Sequence, residues 1–154
     1  MSVSCGKRPN LPEDFPEIYP CEITVIQDKK PLSGALVSLI PQGVASPYAK
    51  GCTGKTDESG KASLQTYGQK GVPAGKYKVV ISKTRDEGGT ETTDSFGTTT
   101  QTGQKVYSYV EKKYTQEHTS PYEIDVVEVK MGNVNSISCD VGATIHEFLR
   151  NAGN

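Results

Sequence analysis

Two histidines are the side chains of this sequence best suited to proton transfer near neutral pH. His118 lies in a polar segment and His146 lies close to the C-terminus. A Ser-His-Asp or Cys-His nucleophilic site would need one of them as its base. Neither stands in a recognisable local signature. We therefore predict no catalytic residue and no enzyme, and we keep as an alternative a small hydrolase that uses His118 or His146.

Four cysteines could bind a metal, form disulfides or simply pack. Their positions, Cys5, Cys21, Cys52 and Cys139, give no C-x-x-C spacing, so a zinc ribbon or a thioredoxin-type site is disfavoured. Strand alternation places Cys21 and Cys139 among apolar neighbours, where a free thiol behaves as a small hydrophobe. A disulfide among Cys21, Cys52 and Cys139 is the alternative, and the sequence does not choose the pair.

Cys5 has a separate interpretation. The stretch Ser2-Val3-Ser4-Cys5-Gly6 precedes a proline-rich segment and resembles the start of a mature bacterial lipoprotein. Cys5 is therefore the lipidation candidate, and a lipid anchor is the only membrane contact that we predict. This interpretation implies that a signal peptide has been removed from the sequence. The alternative is that Met1 is the true start and that the protein stays inside the cell.

Phosphate and metal sites are disfavoured by their spacing. Gly54-Lys55-Thr56 imitates the end of a phosphate-binding loop, but the glycine required five positions earlier is replaced by Ala49. Asp57, Glu58 and Ser59 lack the twelve-residue pattern of a calcium loop. We predict neither a cofactor nor a metal ion.

The tyrosines offer a possible recognition surface. The chain has eight tyrosines and no tryptophan. Aromatic side chains with a polar tip are common at interfaces, so a cluster late in the sequence could bind a protein or a glycan. Packing in the core is the alternative, and the lack of tryptophan weakens the glycan interpretation. The candidate residues are Tyr107, Tyr109, Tyr114 and Tyr122.

Composition and charge limit the class of protein. The chain has 154 residues, with 17 basic and 18 acidic side chains. This balance lacks the basic excess of nucleic-acid-binding proteins, so we predict no nucleic-acid partner. No window approaches 18 consecutive apolar residues. β-Branched residues, glycine and proline are abundant, which is typical of many short strands joined by turns.

The chain divides into a leader, one β domain and a tail. Residues 1–20 are rich in proline and predict an extended tether. Residues 21–141 predict the β domain, interrupted at 84–104 by a polar insertion with eight threonines and four glycines. We expect that insertion to be mobile because it has little to bury; a polar strand is the alternative. Residues 142–154 predict a short amphipathic helix and tail, since Val141, Ile145, Phe148 and Leu149 share helical spacing.

Several motifs within the β domain resemble a known family. Lys30-Pro31-Leu32-Ser33-Gly34-Ala35, Thr56-Asp57-Glu58-Ser59-Gly60 and Pro73-Ala74-Gly75-Lys76-Tyr77-Lys78-Val79 follow the order of the carboxypeptidase regulatory-like domain. The resemblance covers residues 21–82, and residues 114–141 resemble the closing strands of bacterial putative lipoproteins that carry this domain. It implies an all-β, antiparallel Greek-key sandwich of about seven strands with the transthyretin-like (prealbumin-like) fold.

The predicted function follows from this fold and from the absence of a catalytic signature. We expect a non-enzymatic structural or interaction module, exported to the cell envelope or beyond and lipid-anchored. Its partner would be a protein, or a second copy joined through a sheet edge. A carbohydrate-binding module of the same fold is the alternative.

Overall fold

A computed structural model of the chain describes residues 13–43, 49 and 51–152. The lipidation candidate Cys5 and most of the predicted leader lie outside these residues. The described chain is almost entirely β, and its strands are, in order, β1 (Ile18–Tyr19), β2 (Cys21–Gln27), β3 (Lys30–Pro31), β4 (Leu36–Pro41), β5 (Cys52–Lys55), β6 (Lys61–Ser63), β7 (Gln65–Thr66), β8 (Gln69–Lys70), β9 (Val72–Pro73), β10 (Gly75–Ser82), β11 (Thr84–Glu87), β12 (Thr90–Thr93), β13 (Thr99–Thr102), β14 (Lys105–Ser108), β15 (Glu123–Val126), β16 (Asn135–Asp140) and β17 (Glu147–Asn151).

Two sheets form a β-sandwich, as the sequence predicts. One has the order β15-β10-β4-β5-β7-β8, and the other has β16-β2-β3 with β6 also paired to β2. Seven of these strands have at least three residues: β2, β4, β5, β6, β10, β15 and β16. The Greek-key order stays a prediction.

The core forms because alternate side chains of both sheets are apolar. Strand β2 has a strictly alternating burial pattern from Cys21 to Gln27, which is the signature of a strand with one face inward. Ile23 and Val25 from this strand join Val37, Val79 and other residues of the six-stranded sheet in one buried cluster. Tyr77 is fully buried, and its hydroxyl donates to the carbonyl of Pro73 at 2.7 Å.

One strand pair departs from the expected antiparallel arrangement. Strand β16 pairs in parallel with β2 and aligns Ile137 with Ile23. The chain reaches β16 from β15, which belongs to the other sheet. It therefore crosses between layers before pairing, and a crossover of this kind permits parallel strands where a tight hairpin does not.

The last residues of the predicted leader form a strand and are not an extended tether. Ile18 and Tyr19 form β1, which pairs with Val72 and Pro73 of β9. Tyr19 packs against the main core. Apolar contact of this kind holds the last residues of the predicted leader on the sandwich.

The region 84–104 forms exposed strands, which was the alternative interpretation. Strand β11 pairs with β14, and beyond Gly88-Gly89 the hairpin continues as β12 paired with β13. All residues of β12 and β13 are exposed. At the tip the carboxylate of Asp94 accepts backbone N–H groups from Phe96 and Thr98 at 2.8 and 2.9 Å. Backbone pairing and this local turn order the segment without a core of its own.

The predicted C-terminal helix is wrong. Residues 147–151 form strand β17, which pairs antiparallel with β14 and has a bulge opposite Val106 and Tyr107. A helix of about ten residues is marginal in water without extensive packing. Pairing with β14 instead satisfies the backbone groups on one side of β17, while Val141 stays in the sandwich core.

Candidate functional site

The four candidate tyrosines fall into two groups. Tyr107 and Tyr109 lie on or just after β14, in the three-stranded sheet β11-β14-β17. Tyr114 and Tyr122 belong to the sandwich, where their rings stack with centroids 6.1 Å apart. Tyr114 is buried, and the Tyr122 hydroxyl donates to the Asp140 carbonyl at 2.6 Å. The structure therefore leaves Tyr107 and Tyr109 as surface candidates and makes the other two structural.

Tyr107 and Tyr109 belong to an aromatic face that was only partly foreseen. The His146 ring stacks on Tyr107 at 4.1 Å and lies 5.5 Å from the ring of Tyr109. Phe148 meets Tyr107 edge-on, with centroids 5.9 Å apart. We call these four side chains, Tyr107, Tyr109, His146 and Phe148, the aromatic face. Tyr107 and Phe148 are register partners on β14 and β17. Tyr109 immediately follows β14, and His146 immediately precedes β17.

A charged network lies against the aromatic face. Glu87, on β11, accepts a hydrogen bond from the Tyr109 hydroxyl, and its Oε2 atom lies 2.5 Å from Nε2 of His146. The hydrogen bond from Tyr109, followed by that with His146, lowers the pKa of Glu87. The same bond to Glu87 raises the pKa of the Tyr109 phenol. The network therefore keeps Glu87 ionised and Tyr109 protonated.

Two contacts attach this sheet to the sandwich. The buried Gln27 side chain donates to the Tyr109 carbonyl at 2.8 Å. The Asp28 carboxylate accepts hydrogen bonds from the backbone N–H of Thr144, at 3.1 Å, and from its hydroxyl. Asp28 and Lys29 have φ of 52° and 64°, as a two-residue hairpin turn requires. The turn between β2 and β3 thus presents Asp28 to the segment that leads into β17.

Strand β17 forms an open edge of the three-stranded sheet. Every one of its residues is exposed, including Phe148 and Leu149, which are 50% and 47% exposed. A hollow of about 400 Å³ adjoins the strand and is lined in part by Val110, Lys112, Phe148 and Leu149. Among the described residues no strand pairs with the outer side of β17. A backbone edge of this kind, with apolar side chains and a neighbouring hollow, is suited to docking.

The two histidines have different surroundings. His118 is exposed, in the polar segment after the 3₁₀ turn at Lys112–Tyr114. His146 is bonded to Glu87 and stacked on Tyr107. Within the described residues no serine or cysteine is hydrogen-bonded to His146. In the part of the chain that the structure describes, His146 therefore belongs to the aromatic face.

The three described cysteines are free thiols inside the sandwich. Cys21, Cys52 and Cys139 are all buried and none forms a disulfide. Burial raises the pKa of Cys21 and of Cys139 to about 12. Burial also raises the pKa of Cys52, whose thiol lies 3.2 Å from the Thr66 hydroxyl. The structure therefore places them as core residues, as strand alternation indicates for Cys21 and Cys139.

The part of the chain that the structure describes has neither a cluster of metal-ligating residues nor a membrane-spanning helix. That part contains no group of three or more His, Cys, Asp or Glu residues able to hold a metal ion. No helix in the same residues has the length and apolar character needed to span a bilayer.

Comparisons with known proteins add little. No protein-family model matches the chain, and no curated protein matches it. A solved 9R-lipoxygenase from Cyanothece PCC8801 aligns with 89% of this chain at 16% identity and a TM-score of 0.31. The chain spans 18% of that protein's length. A likeness this distant carries no argument, and the carboxypeptidase regulatory-like resemblance stays a prediction.

Several site residues were not foreseen from the sequence. Arg85 and Glu87 were assigned to the polar insertion, and Phe148 to a helix. The available signal was the spacing of these residues, because residues two apart in a strand share a face. By this rule Arg85 lies on the same face as Glu87, and Tyr107 on the same face as Tyr109. The strand pairing that brings these residues together joins segments about 20 to 45 residues apart and has no local signature.

Proposed function

We propose that this protein is a non-enzymatic interaction module that binds a protein partner along β17. The observation that carries the proposal is the exposed edge formed by Glu147–Asn151. An added strand would pair with its backbone, while Phe148 and Leu149 would contact the partner's side chains. This is the usual arrangement of β-strand addition, in which backbone bonds give affinity and side chains give specificity.

Exposure of the apolar side chains supports this assignment. Phe148 and Leu149 are adjacent, half exposed and next to a hollow that also includes Val110. Exposed apolar groups that are contiguous mark interaction sites more often than isolated ones. Aromatic side chains are also enriched at the centres of interfaces.

The cell envelope is the proposed location. This part of the proposal rests on Cys5 and the proline-rich segment after it, which lie outside the described residues apart from the last residues of that segment. A lipid chain on Cys5 would hold the domain at a membrane surface. Mass spectrometry of the protein isolated from its natural cell tests this location, since a diacylglycerol adduct on Cys5 is expected and a chain starting at unmodified Met1 contradicts it.

Carbohydrate binding is a second candidate function. Tyr107 and Tyr109 lie side by side and partly exposed, and planar rings of this kind can stack on sugars. His146 already stacks on Tyr107, so less of that ring is open to a ligand. Binding on a glycan array that is lost in Tyr109→Ala would favour this candidate.

Substitution of the two histidines tests the alternative that the protein is a hydrolase. A hydrolytic activity that is abolished by His146→Ala or His118→Ala would establish it. An activity unchanged in the double variant would assign the hydrolysis to a contaminant or to other residues.

Two leucines provide a matched test of the main proposal. A photo-crosslinking amino acid at position 148 should capture the partner from the envelope fraction of producing cells, and the captured protein is then purified for affinity measurements. Leu149→Lys should weaken binding by about tenfold or more, because lysine on an edge strand opposes strand addition. Leu36→Lys is the control: Leu36 is 49% exposed, close to the 47% of Leu149, but lies on β4 inside a sheet. Equal losses in both variants, or no loss in either, would contradict docking at β17.

A further inference from the structure

We propose that a cavity between the sandwich and the three-stranded sheet binds a small anion bearing a carboxylate, sulfate or phosphate group. The cavity has a volume of about 350 Å³, which lies at the lower end of the range for small-molecule sites. It is lined by residues of the β2–β3 hairpin, by Lys83 and Arg85, and by Tyr109 and Thr144. This site is separate from the docking edge of β17 and does not depend on the proposed partner.

The charge of the cavity wall gives the first argument. Three cations, Lys30, Lys83 and Arg85, line the cavity against a single carboxylate, Asp28. The ion pairs formed among the described residues involve other cations, namely Lys61, Lys78, Lys113 and His146. Within the described residues none of the three cavity cations forms an ion pair. At longer range Arg85 interacts with Glu87, and Lys30 interacts with Asp28. A concave surface with an excess of one charge concentrates counter-ions of the other sign.

Asp28 does not cancel that excess. Its carboxylate accepts two hydrogen bonds from Thr144, which hold it against the segment that leads into β17. Of the four charged residues that line the cavity, three are positive and one is negative. The wall therefore favours an anion even with Asp28 ionised.

The remaining lining indicates how an anion would be held. The Arg85 guanidinium lies 5.8 Å from the centre of the Tyr109 ring, a distance at which the ring helps to orient the cation. Guanidinium presents paired donors that match the oxygens of carboxylate, sulfate and phosphate. Pro31 and Leu32 supply an apolar wall. The ligand is therefore expected to combine one anionic group with a small organic body.

The test is a titration of the full chain followed by NMR of backbone amides. Sodium acetate, sulfate and phosphate are added separately at constant ionic strength, with sodium chloride as the reference. Saturating shifts are expected at Lys30, Leu32, Arg85 and Thr144, with a Kd of about 1 mM for the preferred group. The anion whose shifts saturate at the lowest concentration identifies the preferred group. Acetate represents a carboxylate, whereas sulfate and phosphate represent tetrahedral anions.

Three variants decide whether the cavity is responsible. Lys83→Gln and Arg85→Gln should each weaken binding by about fivefold or more, since a charge facing the anion is lost. Lys112→Gln is the control because Lys112 lies at the other hollow. None of these cations is in an ion pair of the described residues, so each variant is expected to stay folded, which its melting temperature checks. Shifts that do not saturate beyond the chloride reference, or that are unchanged in Arg85→Gln and Lys83→Gln, would overturn the proposal.

Discussion

The Nε2 atom of His146 lies 2.5 Å from the Oε2 atom of Glu87, so these two residues join the outer strands of the three-stranded sheet across its central strand. Glu87 ends β11, His146 immediately precedes β17, and Tyr107 of β14 stacks beneath the His146 ring. This bridge explains how a C-terminal segment with little core contact is held in register.

The bridge predicts that β17 loosens in acid. Because the pKa of Glu87 is lowered in the fold, its ionisation stabilises the folded state above its ordinary pKa of 4.5, and that contribution is lost as pH falls through the lower folded value. The protection factors of the amides of Glu147–Asn151, taken against the intrinsic exchange rate at each pH, should therefore fall in acid before those of the core strand β10. The experiment is NMR hydrogen exchange as a function of pH.

Glu87→Gln is the control for this acid effect. The variant should reduce the pH step in β17, since its amide does not titrate. The step that remains should come from Asp28, whose pKa is lowered by its hydrogen bonds to Thr144. The hydrogen-bonded neighbours Tyr109 and His146, and the nearby cation Arg85, remain in place. If β17 and β10 lose protection together in both proteins, the bridge does not control the sheet.

Two glycines with the same backbone angle predict a difference in stability. Gly60 and Gly68 both have φ of 80°, so alanine costs about 1–2 kcal/mol of conformational energy at either site. A Cβ at Gly60 would lie 2.7 Å from the Val25 carbonyl oxygen, whereas one at Gly68 meets nothing within 4 Å. Chemical denaturation should therefore show Gly60→Ala to be less stable than Gly68→Ala by about 1–3 kcal/mol. Equal losses would contradict the close approach at Gly60.

The buried thiols predict slow chemical labelling. Cys21, Cys52 and Cys139 are buried, and burial raises the pKa of each thiol. Because the thiolate is the reactive form, these cysteines should react with iodoacetamide at pH 8 only after unfolding. A Cys5→Ser background removes the fourth thiol, and mass spectrometry counts the labels. Rapid labelling of the native protein, or a disulfide found under non-reducing conditions, would contradict this arrangement.

The sandwich could be predicted because its pattern is local. The alternation from Cys21 to Gln27 predicts β2, and the burial pattern of that strand follows it residue by residue. Turn residues at Asp57–Gly60 likewise predict the tight turn, which the bond from the Gly60 N–H to the Asp57 carbonyl closes at 2.9 Å. Apolar alternation and turn residues are recognised within a short stretch of sequence, without knowing which strands pair.

The candidate site could not be predicted in the same way. Ile145, Phe148 and Leu149 fit helical spacing, and nothing local reveals that β14 offers them a strand partner. Tertiary pairing overrides local preference in such short segments. The link from Glu87 to His146 spans 59 residues, so it exists only once the three-stranded sheet has formed.

The most direct test of docking at β17 is hydrogen exchange of the full chain, alone and with its purified partner. We expect binding to protect amides of Glu147–Asn151, and to leave unchanged those of Gln69–Lys70 in β8, at an edge of the six-stranded sheet. Protection confined to β8 or β15, with none at Glu147–Asn151, would contradict the account.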